Sequence, residues 1–323
     1  MKRFLAAAAA ILLCISALGC TPDVPRDDGR LKIVSVTFPT YDFARAICGE
    51  LASVTMLLDP GMETHSYDPS PGDVRTIASC DVFLYGGGAS DTWMKDILAS
   101  VDTSRMTILA MTELVEPLRE ETKEGMAHGH DEEHDAAHPS DAAYDEHVWT
   151  SPENAVQIAE AICRAVCEAD PENAGIYRAN ADSYLAQIRA LHEEFAALTK
   201  NASRKTVIFA DRFPFLYLTQ AYGLEYFAAF PGCAEKTEPG PQTIAFLTEK
   251  VKSENIPAVF YTEFSNQELA DAICEATGAK KLLLHSCHNV SKTDFEAGVT
   301  YVSLMRKNLE NLRRALSDGT DPM

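Results

Sequence analysis

From residue 31 onward the chain alternates short apolar runs with stretches of helical period. Residues 31–38 (LKIVSVTF) read as a strand, and 41–51 place Phe43, Ala46 and Ile47 at helical spacing. A second strand, 54–58, closes on Asp59-Pro60-Gly61 and is followed by a loop over 62–71 and a short helix over 72–80. A third strand (81–85), a helix (89–101) and a fourth strand (106–111) complete the first set. Ser151-Pro152-Glu153 is a helix start, with Ser at the cap and Pro in the first turn, and this helix is predicted to end near Ala169. A long helix over 171–200 follows, its apolar positions including Tyr184, Leu185, Ile188, Leu191 and Phe195. At ~1.5 Å per residue it is about 45 Å long, enough to run along two lobes.

Beyond 201 the same grammar returns, with strands at 206–209, 224–230, 257–261 and 281–284 and helices at 214–222, 243–253, 266–277 and 298–317. Strands alternating with helices of this length predict parallel sheets covered by helices. The expected fold class is therefore α/β: two similar α/β lobes with parallel sheets joined by one long backbone helix. The expected divisions are an N-terminal lobe over 31–170, a linking helix over 171–200 and a C-terminal lobe over 201–323. Ligands of such folds favour strand C-termini and the cleft between domains.

The first thirty residues do not fit this grammar. Lys2-Arg3, an apolar run over 4–15 and small residues ending at Gly19-Cys20 form a secretory signal too short to span a bilayer. The ending Ser16-Ala17-Leu18-Gly19-Cys20 resembles a bacterial lipobox, which makes Cys20 the lipidation site and residues 1–20 a lipoprotein signal peptide. Cleavage without lipid is the alternative. Residues 21–30 are a polar tether. The expected location is extracytoplasmic, lipid-anchored to the bacterial cell membrane.

A net charge of −20 argues against a nucleic-acid partner and biases any cleft toward cations. Seven cysteines lie beyond Cys14 and Cys20, with no CxxC pairing. Cys163 and Cys167, four apart on a helix, read as small buried residues. Gly86-Gly87-Gly88 lacks phosphate-loop spacing and reads as a tight turn.

The candidate chemistry is histidine. Five of the nine histidines, His128, His130, His134, His138 and His147, fall in residues 126–150 among seven carboxylates. Such a tract is metal-binding by composition, the alternative being a solvated acidic loop. His65 lies in the loop after the second strand; His285 and His288 follow the last strand; Asp211 and Glu263 follow other strands of the second lobe. Loop imidazoles and carboxylates converging from both lobes suit a four-coordinate divalent ion, which places the expected metal site in the inter-lobe cleft. His192, on the linking helix, reads as a surface residue.

At these residues the chain resembles the zinc/manganese-binding lipoproteins of bacterial ABC importers, the cluster A-I solute-binding proteins. The resemblance covers nearly all of 31–316. It rests on Asp59-Pro60-Gly61 through His65 to Pro69, the acidic His-rich insertion 126–146, and Asp145-Glu146-His147-Val148-Trp149 through Pro152. Tyr217 with Tyr222-Gly223-Leu224, the segment 259–263 and Leu304 through Asn308 add to it. It implies capture of Zn²⁺, or alternatively Mn²⁺, and delivery to an ABC importer membrane permease by a monomeric, non-enzymatic protein. His65 and His147 match the first two ligands. The third ligand position falls on Arg212, which cannot ligate a cation; Asp211 beside it is a substitute, or Arg212 pairs with Glu263. The fourth falls near Cys287, between His285 and His288. The implied set is His65, His147 and His288 with Glu263 or Asp211; Cys287 is a weaker option and could instead pair with Cys233. His128 to His138 then form an insertion that gathers ions weakly. Alternatives are a metal-dependent surface adhesin and an exported zinc hydrolase; no HExxH helix or GxSxG elbow supports the latter.

Overall fold

In a computed structural model the chain is described over residues 29–63, 67–88, 91–127, 144–232, 234 and 238–317. The expected signal peptide, Cys20, His65, His128 to His138 and Cys233 all lie outside the described residues.

The first lobe runs β1 (Leu31–Ser35), α1 (Phe38–Cys48), β2 (Ala52–Met56), α2 (Pro71–Ala78), β3 (Val82–Tyr85), α3 (Met94–Ser100) and β4 (Thr107–Ala110). Two helices follow, α4 (Pro152–Ala169) and α5 (Ala174–Asn201). The second lobe runs β5 (Thr206–Phe213), α6 (Leu216–Tyr222), β6 (Glu225–Pro231), α7 (Pro241–Ser253), β7 (Ala258–Tyr261), α8 (Glu268–Thr277) and β8 (Lys280–Leu283). A short α9 (Lys292–Glu296) and α10 (Tyr301–Leu316) close the fold.

Each sheet has four strands and one shared plan: β2-β1-β3-β4 in the first, β6-β5-β7-β8 in the second. All pairings are parallel, with Ile33 opposite both Val54 and Val82, and Phe209 opposite both Ala228 and Phe260. Crossovers leave β1 and β5 in opposite directions, so each sheet has a switch point at the carboxyl ends of its central strands.

Side-chain alternation along the strands divides the core. Ile33, Leu84, Phe209 and Phe260 face inward into one large apolar cluster that takes in Phe43, Ile47, Ile158, Ile188, Leu191 and Phe195. Val34 and Phe83 face outward into a smaller cluster under α2 and α3, and Ile208 and Val259 do the same under α7 and α8. Because the central cluster spans both sheets, the two lobes belong to one unit, Leu31–Met323. Helix α5, about 42 Å at ~1.5 Å per residue, buries Tyr184, Leu185, Ile188, Leu191 and Phe195 on one stripe. Buried Asp42 on α1 ties this frame together, accepting from the Tyr184 hydroxyl at 2.7 Å and from Tyr301 N at 2.8 Å, with Arg45 at 2.7 Å.

Several elements depart from the sequence expectation, among them β5, α1 and the start of α4. Strand β5 continues four residues past the expected end at Phe209, through a register break, to pair Arg212 with Phe230. Polar Asp211-Arg212 read as loop, but the strand bulges before Arg212 and rejoins the ladder there. Helix α1 starts at Phe38 because Pro39 occupies its first turn. Ser151 sits at the cap of α4 as expected, yet its side chain makes no cap hydrogen bond. Among the described residues no helix is long and apolar enough to cross a membrane.

Candidate metal centre

The segment entering α4 is pinned before it reaches His147. Tyr144 bridges antiparallel to Arg119, and Asp145 N donates to Leu118 O at 2.9 Å. The Tyr217 hydroxyl closes the bracket, accepting from Leu118 N and donating to Asp145 O, both at 2.9 Å. A 3-10 turn, Val148–Thr150, follows, and the Thr150 hydroxyl donates to His147 O at 2.8 Å. One Asp145 oxygen accepts from His147 N at 2.7 Å and lies 3.0 Å from His147 Nδ1. Facing a carboxylate, Nδ1 carries the proton, which makes Nε2 the lone-pair nitrogen. This is the carboxylate–histidine arrangement that orients metal ligands. Burial opposes a charge on His147, but Asp145, with Glu146 and Glu120, outweighs it and holds the imidazole pKa above its ordinary value.

Two glycines let this segment seat. A Cβ at Gly88 would come within 2.2 Å of Glu146, and one at Gly232 within 2.9 Å of Phe213 O and 3.3 Å of the His147 ring. Beside Glu146, Asp91 caps the Gly86-Gly87 turn, accepting from both backbone amides at 2.8 and 3.0 Å. Burial, and then the charge of Glu146, push its pKa up to about 6 against the pull of those amides. The glycine run is a tight turn held by a carboxylate.

The opposing segment follows β8. Asn308 on α10 fixes His285 from both sides, accepting from His285 N and donating to His285 O, each at 2.7 Å. Cys287 takes a left-handed φ of +63°, uncommon for a residue with a side chain. Its amide donates to His285 Nδ1 at 2.9 Å and its thiol to His285 O at 3.7 Å. The reversal brings His288 against His147, ring centroids 5.2 Å apart and nearly perpendicular, with the buried Trp149 ring 4.8 Å from His288. Trp149 Nε1 donates to Ser286 O at 2.8 Å, locking the two segments together. Asn289 Nδ2 donates to Asp59 O and Met62 O at 2.8 and 3.0 Å, and Gly61 N to Val290 O, so the loop after β2 is tied to the same segment.

Among the described residues, Glu146, His147 and His288 form the group whose ligand atoms lie within 4.8 Å of one another. Two imidazole nitrogens and a carboxylate oxygen are a donor set suited to zinc, whereas a manganese site favours more oxygen. His147 and His288 border a cavity of about 240 Å³ between the lobes.

The other residues singled out in the sequence fall nearby and make contacts within the protein. Asp211 and Glu263 line the cavity. Asp211, however, accepts from Arg212 N, Thr262 N and the Thr262 hydroxyl, stitching β5 to the end of β7. Glu263 accepts from Ser286 N at 2.7 Å and from the Ser286 hydroxyl, with His285 Nδ1 at 3.5 Å. Cys287 is fully buried, and burial, with Glu263 and Asp42 nearby, holds its thiol well above the usual range. Arg212 pairs with Glu63 at 2.6 Å rather than with Glu263. His192 is half-buried, within 3.2 Å of the Tyr222 hydroxyl. Glu146 went unnoticed in the sequence; its signal is the Asp145-Glu146-His147 triplet, in which successive residues serve as support, carboxylate and imidazole.

A two-lobed α/β frame thus gathers two imidazoles and a carboxylate beside an inter-lobe cavity. The chain belongs to the family described as zinc-uptake complex component A, periplasmic, whose model matches residues 33–315. It is 30% identical over 304 residues to the zinc-binding lipoprotein AdcA of Streptococcus pneumoniae, covering 94% of this chain and 59% of that one. It is 26% identical over 311 residues, 95% of each chain, to the high-affinity zinc uptake system protein ZnuA of Bacillus subtilis. The crystal structure of the Zn(II)-bound ZnuA-like domain of Streptococcus pneumoniae AdcA superimposes with a TM-score of 0.73 at 28% identity, covering 90% of this chain and all of that domain. The chain thus spans about three fifths of the length of its streptococcal relatives.

Proposed function

We propose that this protein captures a divalent transition metal, zinc before manganese, outside the cytoplasm and hands it to an ABC importer permease. The observation that carries the reading is the convergence of Glu146, His147 and His288, with Asp145 holding His147 in the ligating tautomer. His65, matched to the family's first ligand by sequence, supplies the fourth donor. Three nitrogens and one carboxylate favour zinc, since imidazole suits it better than manganese. Asp211 and Glu263 act as supports for the loops that carry the donors. Cys20 carries a lipid that keeps the carrier at the membrane surface beside its permease, and the protein binds its ion without transforming it. The names of the relatives, zinc-binding lipoprotein and high-affinity zinc uptake protein, support this reading.

The test is elemental analysis of the purified protein, followed by competitive titration with Zn²⁺ and Mn²⁺ against a chelator of known affinity. One tight zinc per chain, lost on exchange of His147 and His288 for alanine, is expected. Binding no tighter than micromolar, or unchanged in that double variant, refutes the assignment.

A further inference from the structure

The cavity beside the three donors also contains a permanent positive charge. Arg212 lies on β5 just past the register break and lines the same cavity as His147 and His288. Its side chain is only 20% exposed, so water screens it poorly. Arginine neither ligates a cation nor loses its proton in a protein. Among the described residues its Nε is buried with no hydrogen-bond partner. One arm is engaged: Nη1 donates to Glu63 Oε1 at 2.6 Å, across the cleft from the loop after β2. That loop is independently anchored through Asn289 and Val290, so Glu63 does not depend on Arg212 to stay in place. Two acids of the same lobe that line this cavity, Asp211 and Glu263, are occupied with Thr262 and Ser286.

We propose that Glu63 and Arg212 together set the cation affinity of the cleft: Glu63 neutralises a guanidinium that otherwise repels the incoming ion. The pair makes cation affinity depend on a charge balance outside the ligand set. The inference rests on the metal-binding reading above. It predicts opposite signs for the two residues. Glu63→Gln leaves the guanidinium uncompensated and weakens zinc binding roughly ten- to hundredfold, the scale of like charges sharing a partly dry site. Arg212→Gln alone leaves the affinity equal or tighter. The double variant recovers to within about threefold of the parent, because a close charge pair is strongly non-additive.

The experiment is competitive Zn²⁺ titration of the full chain and the three variants, at low and high salt, with thermal melts to confirm folding. Rescue of Glu63→Gln by Arg212→Gln, and a deficit that shrinks as salt screens the charge, is the expected result. If both single variants weaken binding equally, the pair is a structural strut and the proposal falls. If Glu63→Gln is not rescued, Glu63 acts on the ion directly and the proposal also falls. A parent that binds no zinc overturns the functional reading itself, which separates the two failures.

Discussion

The two lobes share one strand order and use its carboxyl edge in opposite ways. In the second lobe the acids at the edge border the cavity but are engaged by the protein: Asp211 and Glu263 accept from backbone amides and hydroxyls of neighbouring loops. Among the described residues of the first lobe no strand end supplies a donor to the three-residue group; Glu146 and His147 arrive on a separate segment pinned by Leu118, Tyr217 and the 3-10 turn. A carboxylate at a strand end is therefore not a ligand by position alone. Its lone pairs must be left to the cleft, and the nearest backbone donors decide that first.

The sharpest way to break this comparison is to remove a donor. A four-ligand zinc site is worth roughly 10–16 kcal/mol, so each ligand carries about 3 kcal/mol. His147→Ala and His288→Ala should each weaken Zn²⁺ binding about a hundredfold or more, measured by chelator competition. Loss of less than tenfold from either would move the site away from the pinned segment.

Next in size is a stability effect beside Glu146. Asp91 is held at about 6 in the fold against an ordinary 3.8, chiefly by burial. With its folded pKa raised, its contribution is fully present below about pH 4 and is lost as pH rises through about 6. At neutral pH the ionised group is destabilising by an amount on the order of 2–3 kcal/mol. Asp91→Asn keeps an oxygen acceptor for Gly86 and Gly87 and should raise the melting temperature at pH 7. The gain should vanish near pH 4.

Most of this frame was legible in the sequence because its signals are local. Hydrophobic period and Gly/Pro punctuation located every strand and the long helix, and the repeat of one grammar implied two lobes. What was not legible depends on distant partners. The extension of β5 is invisible because Asp211-Arg212 is polar, and only pairing with β6 keeps it in the sheet. His147 and His288 were singled out as loop imidazoles, and the structure brings them together. Glu146 was overlooked because an acid beside other acids in 126–146 has no distinguishing period. That Asp211 and Glu263 are tied up by Thr262 and Ser286 could not be foreseen, since those bonds join strands whose spacing in the sheet is a property of the whole lobe.

A smaller effect tests how the pinned segment works. Asp145→Asn should reduce zinc affinity about 10- to 100-fold, the usual cost of removing a partner that orients a metal-bound imidazole. The pH dependence gives a second readout. Zinc and a proton compete for Nε2 of His147, and the raised pKa makes affinity fall already as pH drops through values above the ordinary imidazole range. Without zinc the sign reverses: the charged His147–Asp145 pair stabilises the fold at low pH, and that contribution is lost as pH rises through the raised pKa. Asp145→Asn should shift the acid limb of zinc binding to lower pH and flatten the apo dependence.

The smallest expected effect discriminates best between the two carboxyl edges. Asp211 holds three donors, Arg212 N at 2.8 Å, Thr262 N at 3.0 Å and the Thr262 hydroxyl at 2.7 Å. Asparagine has one acceptor oxygen where aspartate has two, so Asp211→Asn must leave at least one of these donors unmatched, at a cost of about 1–2 kcal/mol. The loss should appear in the denaturation midpoint with the slope unchanged. Zinc affinity should stay within about threefold, because a stitch between β5 and β7 acts on the lobe's stability and not on the donor group. An affinity loss matching that of His147→Ala, with stability intact, would instead make Asp211 a ligand and show that the second lobe offers a strand-end acid to the ion.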